Sequence, residues 1–168
     1  MKTFALILLT SFTVVFMSCE GDPGPPGPQG PQGPAGDYLI GQAFEIEIDF
    51  LESENFEYIE SYGFETYPSD VTLVYILWET TNGFDIWRPL PQTSQFDDGT
   101  LVYNYDFTDV DVRFFLDGTT DFTALGSAWT QNQVFRVVVV PADFVRDIDT
   151  TNLDLVLETA RVDTIVKK

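Results

Sequence analysis

VTLVYILW, residues 71–78, is an unbroken run of apolar and β-branched residues. Eight residues is strand length rather than helix length, and a run without alternation predicts a central strand buried on both faces. QVFRVVVV, residues 133–140, repeats the pattern more strongly and stops at Pro141, which has no N–H to offer a ladder. AFEIEIDF, residues 43–50, alternates instead. Phe44, Ile46, Ile48 and Phe50 share one face and carboxylates the other, which predicts a half-buried strand with its polar side in water.

Between these runs the turn chemistry is regular. A weaker strand around Phe56 to Ile59 leads into a loop ending at Pro68-Ser69-Asp70. Asn82-Gly83 tolerates positive φ and predicts a hairpin, with Phe84 to Arg88 returning until Pro89 and Pro91 cut the strand off. Asp97-Asp98-Gly99 marks another turn, and Thr100 to Phe107 and Val110 to Leu116 read as two strands around Thr108-Asp109. Asp117-Gly118 opens a looser segment reaching Trp129. Near the end, Asp149-Thr150-Thr151 can cap a short helix over Leu153 to Ala160, although Leu153, Leu155 and Leu157 also fit a strand; Val162 to Val166 reads as a closing strand. Short strands, frequent turns and no strand-helix alternation predict an all-β head, an antiparallel β-sandwich or barrel with a short C-terminal helix as an option.

Upstream the chemistry changes. GDPGPPGPQGPQGPA, residues 21–35, places glycine at 21, 24, 27, 30 and 33, and Gly36 continues the period. This is a collagen-type G-X-Y repeat: proline fixes φ near the polyproline II value, and only glycine fits where three chains crowd one axis. The stretch has no apolar face to bury, so it predicts a rod of about 50 Å if extended. Two readings stand, a homotrimeric triple helix and a single-chain semi-rigid spacer. A strictly kept period favours the first.

Before the repeat, Met1-Lys2 gives a positive start and Phe4 to Met17 is almost wholly apolar. That length suits a secretory signal rather than a membrane span of roughly 20 apolar residues. Ser18-Cys19 follows it directly, and Phe16-Met17-Ser18-Cys19 resembles the lipobox of bacterial lipoproteins at its small residue and its cysteine. The resemblance implies cleavage before Cys19 and a diacylglycerol thioether on it, with acidic Glu20 and Asp22 resembling a signal for outer-leaflet display. Two or three acyl chains give stable attachment where one does not. The expected organisation is a signal peptide over 1–18, a lipidated N-terminus at 19–20, a stalk over 21–38 and an acidic head over 39–168.

Composition narrows the functions. The chain of 168 residues carries a net charge of −19, a field that repels phosphate backbones and anionic head groups and argues against nucleic-acid binding. With no histidine and Cys19 as its one cysteine, it can build no internal disulfide, thiolate zinc site or Ser-His-Asp or Cys-His engine. Asp106, Asp109, Asp111, Asp117 and Asp121 form the densest carboxylate group, which a glycosidase or a calcium site could use. Asp109, Asp111 and Arg113 sharing one strand face suits a charge-mixed surface better, and EF-hand spacing is absent. No catalytic residue, metal or cofactor is expected. Trp78 ends a buried run and reads as core, which leaves Trp87 and Trp129 as the candidates for stacking on a ligand.

The leader, the cysteine, the Gly-Pro-Gln triplets and runs such as VTLVYILW, WRPLPQT and QVFRVVVVPADF together resemble collagen-like lipoproteins of Bacteroidetes-type bacteria. That family implies architecture and location, an exported protein lipid-anchored in the outer membrane and exposed at the surface, and brings no activity for the head. The expectation is a non-enzymatic surface lipoprotein with a structural, adhesive or partner-binding role. A carbohydrate- or calcium-binding module is the alternative, with a carboxylate-based hydrolase behind it.

Overall fold

Two β-sheets face each other across one apolar core in the computed structural model, which describes residues 41–168. The signal segment, Cys19 and the G-X-Y repeat lie outside the described residues. The strands are β1 (Gln42–Ile48), β2 (Glu57–Ser61), β3 (Asp70–Thr81), β4 (Phe84–Pro89), β5 (Gln92–Phe96), β6 (Gly99–Phe107), β7 (Asp111–Gly118), β8 (Gln133–Pro141) and β9 (Val166–Lys167). One sheet runs β4-β3-β8-β1-β9 and the other β2-β7-β6-β5. All pairings are antiparallel except β9 on β1, which is parallel. Three short α-helices, α1 (Ser127–Thr130), α2 (Ala142–Val145) and α3 (Leu153–Thr159), and two single-turn 3-10 helices, Glu52–Glu54 and Phe122–Ala124, complete the described head.

The two unbroken apolar runs lie where their composition places them. β3 and β8 are inner strands of the first sheet, in register from Asp70 opposite Pro141 to Ile76 opposite Phe135. Val74, Ile76, Phe135, Val137 and Val139 point into the core between the sheets, while Tyr75, Val138 and Val140 point outward beneath Leu153 and Val156 of α3. The helical option for the C-terminal segment is the one adopted. Its cap is Asn152, whose side chain accepts from Leu155 N, while Asp149 caps the preceding turn through Thr151.

From the second sheet, Leu101, Tyr103, Val112, Phe114 and Leu116 meet the first, and Phe114 lies 4.9 Å from Phe135, centroid to centroid. Tyrosine hydroxyls tie the layers. Tyr62 Oη is 2.7 Å from Thr72 Oγ1, Tyr105 donates to Thr72 O at 3.0 Å, and Tyr103 donates to Trp129 O at 2.7 Å. Burial therefore comes with satisfied hydroxyls, as low-dielectric surroundings require.

Several expectations are corrected. The polar face of β1 is not simply in water: Glu45 is largely buried, 2.7 Å from Arg136 and 2.9 Å from Lys167. β1 ends at Ile48, and Phe50 reaches the core from beyond it. The return strand ends at Pro89 as expected; the addition is β5, an edge strand of the other sheet that forms once the chain has passed Pro91. Asp109 lies in the β6–β7 turn rather than on a strand face, so only Asp111 and Arg113 share β7. Arg113 pairs with Asp106 and with Glu57 instead.

The sheet borders are short or irregular. β9 has 2 residues, β2 and β5 have 5 each, and β4 ends in Pro89 and pairs with β3 through a bulge. Lys168 closes the gap between β1 and β2: its N–H donates to Glu45 O at 2.9 Å, and its ammonium reaches Glu60 at 2.8 Å and Tyr62 O at 2.9 Å. The ammonium also lies 4.3 Å from the Phe44 ring centroid. The strands define two poles. Gly41, Asp70, Pro141 and the β6–β7 turn mark the near pole, where the chain enters the head; Gln133, Trp78 and the β6 start at Gly99 mark the far pole.

Candidate functional site

An aromatic cluster with open space around it lies at the far pole, next to a bulge. In the β3–β4 ladder Leu77 opposes Trp87 and Glu79 opposes Ile86, so Trp78 is the extra residue on β3. A bulge bends its strand and re-aims the side chain it carries. Trp78 consequently sits at the rim of the core, partly buried, with the Arg88 guanidinium 4.4 Å from its ring centroid. Trp129, on the single turn α1, meets Trp78 edge-on at 6.5 Å and Phe96 edge-on at 5.1 Å.

Both sheets hold α1 in place. Tyr103 donates to Trp129 O, Phe50 N donates to Thr130 O at 2.7 Å, and Gln133 Nε2 donates to Ala128 O at 3.0 Å. Asn132 adopts φ of 52° beside it and donates its N–H to Asp49 at 2.8 Å. Ala128 and Trp129 form a partition between two hollows. One, of about 250 Å³, is lined by Ile76, Leu77, Trp78, Tyr103 and Gln133; the other, of about 310 Å³, by Phe96, Asp98, Thr120, Asp121 and Leu125. Each is near the lower limit for a small-molecule site, with room for a ring-sized group.

The polar wall is fixed. Asp98 accepts from Thr120 Oγ1 at 2.6 Å and from Asp121 N at 3.0 Å, and these two bonds, that from Thr120 first, hold its carboxyl below the ordinary range. Asp121 in turn accepts from Thr123 N and Oγ1 at 3.0 and 2.7 Å. The arrangement combines indole surface, amide and carboxylate acceptors and one guanidinium. It can stack on a flat or ring-shaped group and accept hydrogen bonds from it.

The two tryptophans singled out by sequence are not brought together. Trp129 packs against the inter-sheet core, whereas Trp87 lies on the outer face of the first sheet, with the Arg136 guanidinium 4.0 Å from its ring centroid. The structure instead joins Trp129 to Trp78, Phe96 and Arg88. The sequence holds one signal for this, because polarity begins abruptly at Glu79-Thr80 and so leaves Trp78 at the rim. The densest carboxylate group is also divided: Asp109 and Asp111 lie at the near pole, Asp117 and Asp121 at the far one. Among the described residues no group of three or more acidic side chains is placed to hold a metal ion. Cys19 lies outside the described residues. Comparison with known proteins finds no family model, curated protein or solved structure that matches the chain.

Proposed function

We propose that the chain is a lipid-anchored bacterial envelope protein. Acylated Cys19 holds its start in the outer membrane, the G-X-Y repeat serves as a stalk, and the β-sandwich head binds a partner in an adhesive or structural role. One observation carries the reading. The aromatic hollows lie at the pole of the head opposite Gly41, clear of the end at which the described chain begins.

Asp98 is not poised as a general acid. A carboxyl acting as general acid at neutral pH needs a raised pKa, and Asp98, in the wall of the larger hollow, is shifted the other way. Labelling with palmitate tests the anchor: incorporation is expected in the natural chain and its loss in Cys19→Ser, and label absent from the natural chain sinks the reading.

A second reading, a carbohydrate-binding head, is favoured by the partition itself, because Trp129 borders space on both sides with hydrogen-bond acceptors opposite. Tryptophan fluorescence titrated with a panel of neutral oligosaccharides tests it. A saturable change in the natural chain that Trp129→Ala abolishes supports a sugar ligand, and a flat response across the panel removes it.

A further inference from the structure

The near pole carries an apolar surface that none of the described residues covers. Tyr67, Phe107 and Val110 are 54%, 43% and 62% exposed there. They are close in space although distant in sequence. Tyr67 and Phe107 line one hollow of about 180 Å³, and Tyr67 also lines a second, of about 190 Å³, that reaches Gln42. Val110 follows in the same β6–β7 turn, where its carbonyl accepts from Tyr62 N at 3.1 Å.

The surface is also firm. Tyr67 N donates to Asp70 at 2.9 Å and Asp70 N returns a bond to Tyr67 O at 2.8 Å. Thr66 Oγ1 donates to Asp109 O, joining this loop to the β6–β7 turn, and Phe107 stacks on Tyr105 with centroids 6.4 Å apart. Large apolar side chains held still and left wet are the composition of an interface core.

What covers them follows from the length of chain upstream. The last repeat glycine is Gly36 and the first described residue of the head is Gly41. Five residues span at most about 18 Å, while a head of this length has a radius of gyration of about 14 Å. Three chains wound on one axis would therefore bring three near poles together, and Tyr67 lies beside the entry, lining one hollow with Gln42.

We propose that the near pole is the surface through which three copies of this chain associate, with Tyr67, Phe107 and Val110 at its centre. This rests on the reading of the repeat as a stalk and adds the contact that six triplets need, since so short a triple helix is marginal alone. Charge works against the association. Glu65, Asp70, Asp109 and Asp111 crowd the same pole in every copy. Raising salt from about 0.01 M to about 0.15 M shortens screening from about 30 Å to about 8 Å, and so strengthens the trimer.

The test uses the mature chain from residue 19 with Cys19→Ser, so that it is soluble and unacylated, with mass read by sedimentation and the collagen transition by circular dichroism. A trimer is expected at tens of micromolar. Val110→Glu should weaken it at least about tenfold, since a carboxylate must then be desolvated at the contact, while the thermal midpoint of the head stays in place. Where Val110→Glu fails to fold, Tyr67→Ser probes the same surface. Phe84→Glu, at a residue 75% exposed beyond the far pole, should leave the trimer intact.

A monomeric natural chain overturns the proposal. So does a trimer that Val110→Glu and Tyr67→Ser leave untouched; if its collagen transition is normal, the stalk survives and the near-pole surface does not. A Gly27→Ala, Gly30→Ala chain, whose triple helix is disrupted, that still forms a trimer supports the near-pole contact, and one that falls to monomers places the association in the repeat alone.

Discussion

Glu45 shows how one position departs from the pattern that predicts it. Alternation places it on the wet side of β1, yet its side chain is 15% exposed and its partner Arg136 only 18%. Arg136 is itself squeezed between Glu45 and the Trp87 ring, and its Nε is buried without an acceptor among the described residues. Removing one member of such a pair leaves the other uncompensated. Glu45→Gln is therefore expected to cost about 2 kcal/mol at neutral pH, measured by chemical denaturation. Burial raises the Glu45 carboxyl, but hydrogen bonds and charge from Arg136 and Lys167 more than reverse this and hold it below its ordinary value near 4.5. The contribution is thus complete above that value and fades as pH falls through the lowered folded one. The gap between the natural chain and Glu45→Gln should close in acid; a gap that widens there would refute the assignment.

Among the elements, the turn after β7 controls the polar wall of the far pole. Gly118 has φ of +127°, and a Cβ added there would stand 2.1 Å from Thr100 O. That oxygen accepts from Thr119 N at 2.8 Å and Thr120 N at 3.2 Å, and Thr120 in turn holds Asp98. Gly118→Ala is expected to cost about 1–3 kcal/mol from the backbone conformation alone, with the clash added. Its denaturation midpoint should fall, and Thr120 and Asp121 amides should lose protection from hydrogen exchange before those of β8 do.

What could be read from the sequence divides along the same line. β3, β8 and the Asn82-Gly83 turn were legible because composition and chirality act locally: two faces of apolar residues demand two covers, and φ values of 55° and 81° demand Asn and Gly. β5 was not, because QTSQF carries no period and exists through the neighbour it pairs with, and the closing strand expected over Val162 to Val166 forms only at Val166–Lys167, where β1 pairs with it. The Trp78 bulge was hidden for a related reason. A bulge is a mismatch between two strands, and neither strand announces it alone. The same holds for the candidate site: composition singles out Trp129, while its neighbours Trp78 and Arg88 come to it through strand pairing.

Across the whole head, buried tyrosines make alkali the more telling stress. Burial pushes the phenols of Tyr62, Tyr75, Tyr103 and Tyr105 above their ordinary value of 10.0. A phenol raised in the folded state contributes fully below the unfolded value, and its contribution is lost as pH rises beyond it. The head should therefore unfold cooperatively somewhat above pH 10, with ionisation of these four tyrosines and loss of β-sheet signal sharing one midpoint. These phenols ionising near 10.0 while the sheet signal persisted would show that the hydroxyls are not enclosed as described.

The borders of the two sheets bear on behaviour in a crowd. Backbone amides left open along a flat margin invite the margin of the next molecule, and each border here is too brief, kinked or proline-stopped to accept much of one. At high concentration such heads would resist zipping edge to edge into fibres.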